Sequence, residues 1–305
     1  MTTTLVILAL LAALVIAAPF VMAARRTDPD TALAPGKFSD LSQGRTHYLW
    51  YGGARGPVAV CIHGLTTPSP VWDGLVPELL SLGYRVLVYD LYGRGYSDTA
   101  PGRQDEAFFL TQLEDLLADQ NLAEDLTVIG YSMGGSIATA FAAKNPHMVQ
   151  RVVLIAPAGI HHDESRFYRF VRRTPLVGDW LHGLLEPLRM RREIDREPQD
   201  EWPEILDARR QSLTRSGFFR AVLSSRRGIL GGTQEAAHRE ITRQGIEVLA
   251  VFGERDEVIP IRAMGLLTQW NRTARQEMID GAGHDLVYAH GEGVGGIIRD
   301  FVTHR

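Results

Sequence analysis

Ser132 stands between two glycines in Gly130-Tyr-Ser-Met-Gly134, directly after the apolar run Leu126-Thr-Val-Ile129 and before the small-residue stretch Ile137 to Ala143. A serine in that setting either caps a helix or is held out of a tight turn as a nucleophile. In the second case the glycines two residues to each side leave room where a Cβ would clash, and the hydroxyl sits at the N-terminus of the next helix. Backbone N–H groups and the positive end of the helix dipole favour developing negative charge there. A serine hydroxyl at its own pKa is a weak nucleophile, so this reading needs a general base and a group to orient it. Two downstream loops offer them: Gly253-Glu-Arg-Asp256 follows one apolar run, and Asp280-Gly-Ala-Gly-His284 follows the next. Asp256 is equally readable as a solvated loop acid, with Glu254 and Glu257 as competitors, and His284 is one of ten histidines. What selects Ser132, Asp256 and His284 together is their order, each after a strand, as acyl transfer on a parallel sheet requires.

Acyl transfer also needs donors for the tetrahedral oxyanion. The loop His63-Gly64-Leu65 after Val58–Ile62 is placed to aim the Leu65 N–H at the same point as the Met133 N–H. The His63 imidazole is expected to bond loop backbone, leaving this chemistry to main-chain groups.

The elements that must position these residues are legible as short β-branched runs alternating with helical stretches. Runs occur at 46–51, 58–62, 85–89, 126–129, 152–155, 246–252 and 274–279, with helical patterns at 71–82 and 106–120 and a closing helix at 295–302. That rhythm indicates an α/β fold, a parallel sheet covered on both faces. It stops near Gly159. From 160 to 235 there are Arg-rich amphipathic pieces at 167–173, 180–192 and 217–225, broken by Pro175, Pro187 and Pro203. We read a helical cap set inside one core made of 46–159 and 236–305. Among the cap's apolar residues Phe167, Tyr168, Phe170, Trp180, Leu181, Leu184, Leu185, Phe218 and Phe219, most are expected to pack the cap onto the core and a subset to line an acyl tunnel.

The chain's 305 residues carry 36 acids against 32 bases, a formal charge of −4, without the basic stripes that nucleic acid would require. The single cysteine, Cys61, allows no intrachain disulfide and no thiolate metal cluster. Leu5 to Ala24 is uncharged, reaches about 30 Å as a helix, and is closed by Arg25-Arg26. Residues 1–26 therefore read as a membrane anchor, or alternatively as a signal peptide cleaved after the small residues near Ala23, although Met1-Thr-Thr-Thr4 lacks a basic leader. Positive charge on the C-terminal flank alone places the following domain on the cytoplasmic side. Residues 27–45, rich in turn formers, are expected as a linker.

Taken together, His63-Gly64, Asp90 to Asp98 with its Gly93-Arg94-Gly95, Gly130-Tyr-Ser-Met-Gly134, the Asp256 loop and Gly283-His284 resemble the α/β-hydrolase superfamily in order and spacing. The resemblance covers about residues 46–305. It implies an eight-stranded, mostly parallel sheet, a helical cap over the triad, no cofactor, a small-molecule acyl ester as substrate and a structural role for the Asp90–Asp98 turn. Within the superfamily the chain is most similar to monoacylglycerol-lipase-like esterases, some of them anchored to a lipid bilayer, which implies medium or long acyl chains. Dehalogenases and epoxide hydrolases carry an aspartate where Ser132 stands, which runs against those activities. Thioesterases, carbon–carbon bond hydrolases and acyltransferases keep the same triad and stay open, as does a non-catalytic receptor or scaffold. The oligomeric state is not set by the sequence.

Overall fold

A computed structural model describes residues 2–303; Met1 of the expected anchor and His304-Arg305 of the expected core lie outside the described residues. Helix α1 (Thr2–Ala24) leads to a hairpin of β1 (Lys37–Leu41) and β2 (Gly44–Tyr51) that turns at Ser42-Gln43. Next come β3 (Val58–Ile62), α2 (Val76–Ser81), β4 (Arg85–Tyr89), α3 (Glu106–Asp119), β5 (Leu126–Tyr131), α4 (Met133–Lys144) and β6 (Val149–Ile155). Four helices, α5 (Arg166–Arg173), α6 (Val177–Ile194), α7 (Pro203–Thr214) and α8 (Phe218–Arg227), then intervene before α9 (Glu235–Gln244) and β7 (Glu247–Gly253). The chain closes with α10 (Arg262–Trp270), β8 (Arg275–Ile279), α11 (Leu286–Ala289) and α12 (Gly291–Thr303).

The eight strands form one sheet in the order β1-β2-β4-β3-β5-β6-β7-β8. β2 is antiparallel to both its neighbours, and every pair from β4 onward is parallel. β3 (Val-Ala-Val-Cys-Ile) and β5 are buried along their whole length, as strands covered by helices on both faces must be. α4 is buried from Met133 to Ala142; its Gly, Ala and Ser residues let its backbone lie close on β5 and β6. Parallel strands end at one edge of a sheet, so the loops after β3, β5, β7 and β8 share that edge.

The expected linker 27–45 is a correction. It supplies the edge strand β1, because Ser42-Gln-Gly44 are turn formers that close a hairpin rather than a tether. Thr27 is also tied down: its N–H donates to the Thr214 carbonyl (3.1 Å) and its own carbonyl accepts from Ser216 N–H (2.8 Å). The helical pattern at 71–82 splits into a 3₁₀ turn at Ser69–Trp72 and α2, with Asp73-Gly74-Leu75 between them. Pro187 does not break its helix; α6 continues through it to Ile194 at the loss of one backbone hydrogen bond.

Candidate active site

Ser132 occupies the hinge between β5 and α4 with φ 52° and ψ −118°, a left-handed conformation that a non-glycine residue adopts only under constraint. The constraint is close packing on both sides. A Cβ on Gly134 would lie 1.9 Å from the Ile62 carbonyl oxygen, and one on Gly130 would lie 2.3 Å from that of Gly134. The Ser132 N–H donates to the Ile155 carbonyl (3.0 Å) and its carbonyl accepts from Ala158 N–H (2.9 Å), so β6 fixes the turn from one flank.

The three sequence-selected side chains meet at this edge. Ser132 Oγ lies 3.0 Å from His284 Nε2, and His284 Nδ1 lies 2.8 Å from Asp256 Oδ2. Asp256 is buried, and its second oxygen accepts the N–H groups of Val258 and Ile259, each at 2.8 Å. Those two bonds hold the carboxylate's plane, and the carboxylate in turn selects the imidazole tautomer with a proton on Nδ1. That leaves Nε2 free to accept the serine proton. Glu254 and Glu257, the competing loop acids, are exposed, and the Glu254 carboxylate accepts from Gly281 N–H (2.7 Å) instead.

The expected oxyanion donors sit on either side of Ser132. Met133 is the first residue of α4, so its N–H has no intrahelical acceptor. The Gly64–Leu65 loop approaches closely: a Cβ on Gly64 would lie 3.3 Å from the Ser132 Cβ. The buried His63 ring braces this loop, donating from Nδ1 to the Gly64 carbonyl (2.8 Å) and accepting Leu91 N–H at Nε2 (2.9 Å). Burial lowers its pKa to about 4, which keeps Nε2 an acceptor at neutral pH. Among the described residues no group of His, Cys, Asp and Glu is arranged to hold a metal ion.

Two supporting residues were not singled out from sequence. Tyr131, inside the pentapeptide, donates its hydroxyl to the His284 carbonyl (2.6 Å), and its ring packs against the imidazole at 5.3 Å with a 34° tilt. Burial, with Tyr288 and Asp256 nearby, pushes its pKa far above the ordinary range, so it remains a donor. Arg94, flanked by Gly93 and Gly95, donates to the Leu65 carbonyl (3.1 Å). The flanking glycines were visible, but the side chain's destination was not.

A cavity of about 600 Å³ opens over Ser132 between this edge and helices α5–α8. Its cap wall differs from the expected acyl tunnel. Of the nine cap residues named as candidates for that tunnel, Tyr168 alone lines it. Phe218 and Phe219 turn aside into a separate cluster with Met190 and Val222, Phe167 lies under the Arg189 guanidinium, and Trp180 bonds to α1. The wall instead carries Glu186, Met190 and Glu193 on one face of α6, extended by Glu197 beyond its end. Arg226 pairs with Glu186 (3.5 Å) and stacks over Tyr168 (3.9 Å), while Arg209 pairs with Glu197 (3.2 Å).

A mostly parallel eight-stranded sheet with a serine hinge, a histidine and an acid at its C-terminal edge defines a hydrolase-type fold. The family model described as alpha/beta hydrolase fold matches residues 57–290, and the chain belongs to that family. A 2-hydroxymuconate semialdehyde hydrolase of Pseudomonas putida is 27% identical over 258 residues, 80% of this chain and 86% of its own. A pimeloyl-[acyl-carrier protein] methyl ester esterase of Aeromonas hydrophila is 26% identical over 254 residues, 81% of this chain and 96% of its own. Among solved structures, an esterase from Exiguobacterium antarcticum matches with a TM-score of 0.72 at 19% identity, over 88% of this chain and 99% of its own, which speaks to fold alone.

Proposed function

We propose that this chain is a serine hydrolase of carboxylic esters that works through an acyl-enzyme. The observation that carries the reading is the continuous relay from Ser132 Oγ through His284 to Asp256, at 3.0 and 2.8 Å. Ser132 attacks the ester carbonyl while His284 Nε2 takes its proton, and Asp256 stabilises the imidazolium. The oxyanion is received by the N–H groups of Leu65 and Met133, and His284 returns the proton to the departing alcohol. Water, deprotonated by His284, then releases the acid and restores Ser132.

For substrate we favour a small-molecule ester with a medium or long acyl chain and a polar alcohol, monoacylglycerol-like in its division. Leu65, Leu230 and Ile259 give the cavity apolar lining outside α6, and the Glu186–Arg226 and Glu197–Arg209 pairs supply hydrogen-bonding groups that suit a polyol. A p-nitrophenyl and glyceryl ester series of increasing chain length tests this. Rates that rise beyond butyrate and favour glyceryl leaving groups are expected; activity confined to acetyl esters would defeat it. Carbon–carbon hydrolysis is the second reading, favoured by the muconate-hydrolase relative and the cavity arginines. Turnover of a dienoate ring-cleavage product faster than of any ester would select it.

α1 supports a single-pass anchor with the hydrolase domain on the cytoplasmic side, from Arg25-Arg26 after the span. Cleavage near Ala24 and export is the rival, and N-terminal sequencing of the mature protein separates the two.

A further inference from the structure

α1 does not stand clear of the hydrolase. Trp180 Nε1 donates to the Ile16 carbonyl (3.0 Å), and Pro19 is buried where a Cβ on Gly183 would lie 3.1 Å from its ring. Residue numbers rise together through this contact, Trp180 with Ile16 and Gly183 with Pro19. The two helices therefore pass it in the same direction, and the N-terminus of α6 lies on the same side as that of α1. Beyond Ile16, residues 2–15 supply about 21 Å of helix, whereas a bilayer's hydrocarbon core is about 30 Å thick. The shortfall of about 9 Å has a consequence for the cap. If α1 buries its apolar length, the Ile16–Trp180 contact goes below the surface and takes the start of α6 with it.

The cap's end suits that position. Leu176 is 83% exposed and Val177 54%, side by side at the apex between α5 and α6, with Phe170 47% exposed nearby. Leu176 is held at φ 64° with its N–H bonded to the Asp179 carboxylate (2.7 Å), so the apex presents an apolar side chain from a constrained turn. Trp180 is of the residue type that collects at membrane interfaces, and the exposed Arg25 and Arg173 form no ion pair among the described residues. We propose that the Pro175–Trp180 apex, led by Leu176 and Val177, inserts into the leaflet that holds the C-terminal half of α1. The cap then docks the enzyme on the lipid surface. This rests on the anchor reading. It also gives α6 two roles along one rod, since the helix whose start meets lipid carries Glu186, Met190 and Glu193 on the cavity wall.

The test uses the full chain in vesicles of phosphatidylcholine and phosphatidylglycerol, with an environment-sensitive fluorophore on Leu14→Cys, Val177→Cys or Arg272→Cys; the native Cys61 is buried. Acyl-chain doxyl lipids should quench the probes at 14 and 177 and spare the one at 272. Quenching at 14 with an aqueous signal at 177 overturns the proposal and leaves the anchor standing. No quenching at 14, with protein that fails to float with vesicles, removes the anchor and the proposal together. A probe at 177 shielded equally without lipid, in a dimer, would make a second copy the occupant and overturn it. In parallel, the Leu176→Asp, Val177→Asp double variant should lose at least about tenfold in turnover of vesicle-borne ester while its rate on soluble p-nitrophenyl butyrate is unchanged. Equal rates on both substrates contradict the proposal.

Discussion

Arg94 Nε donates to the Leu65 carbonyl oxygen at 3.1 Å from a fully buried guanidinium, linking the Gly93-Arg-Gly95 turn to the loop expected to receive the oxyanion. The same side chain reaches the Tyr92 carbonyl (2.9 Å), Gln104 and, on α8 of the cap, Ser225 Oγ (2.9 Å). Burial and the neighbouring Arg215 lower its pKa to about 9, which still leaves it a cation at neutral pH. Arg94→Met removes four buried hydrogen bonds, leaving the Leu65 carbonyl without its guanidinium donor while the Tyr92 carbonyl keeps Gln104 Nε2 and Gln104 Oε1 keeps Ser225 Oγ, and should destabilise the fold by about 3 kcal/mol. Arg94→Lys, which reaches fewer of them, should fold yet lose about tenfold in kcat with KM little changed, because the oxyanion contact is strongest in the transition state. An Arg94→Lys variant with parental kcat would show that Leu65 does not depend on this bond.

Asp256→Asn keeps size and packing but removes the charge that selects the Nδ1–H tautomer of His284. The expected loss is about 10⁴-fold in kcat on a p-nitrophenyl ester, with thermal unfolding little altered. A loss below about tenfold would mean that another acid orients the imidazole.

Stability should fall on mild acidification. Burial lowers the pKa of His63, His182 and His238 to about 4 each, whereas the unfolded chain protonates near 6.5. These groups therefore favour the folded state above pH 6.5 and give that up as pH falls toward 4, about 2 kcal/mol per histidine between pH 7 and 5. Asp73, raised to about 6 by burial and Glu204, works in the opposite sense by a smaller amount. Urea unfolding at pH 7 and pH 5 checks the sum; equal midpoints would be inconsistent with three neutral buried imidazoles.

Removal of residues 1–26 takes away α1 and the Arg26 guanidinium that lies 4.4 Å over Phe219, but leaves the Thr27 bonds to Thr214 and Ser216. The shortened chain should no longer be held as an integral membrane protein and should hydrolyse soluble esters within about threefold of the parent, since no group of the relay is lost. A collapse of kcat on soluble ester would place α1 in the support of the cap.

Ser132, Asp256 and His284 were legible because a parallel sheet brings strand ends to one edge, so order along the chain translates directly into proximity. Tyr131 lay inside the motif, but its bond to the His284 carbonyl joins the end of β5 to a loop 153 residues further on. The cap resisted reading for a different reason. Each of its helices is amphipathic, and which face turns inward is decided by how α5 to α8 stack on one another. The stacking sends Tyr168 and the Glu186 row to the cavity and Phe218 and Phe219 away from it. Ser42-Gln-Gly44 was ambiguous because linkers and hairpin turns use the same residues.

The central claim is that Ser132 is the nucleophile. Intact-mass analysis after treatment with a fluorophosphonate tests it most directly, on the parent chain and on Ser132→Ala. We expect one adduct per parent chain, mapped to the peptide containing Ser132, concurrent loss of ester hydrolysis, and neither labelling nor activity in a Ser132→Ala chain that unfolds at the parent temperature. A Ser132→Ala chain that still labels and still hydrolyses esters at the parental rate would contradict the assignment.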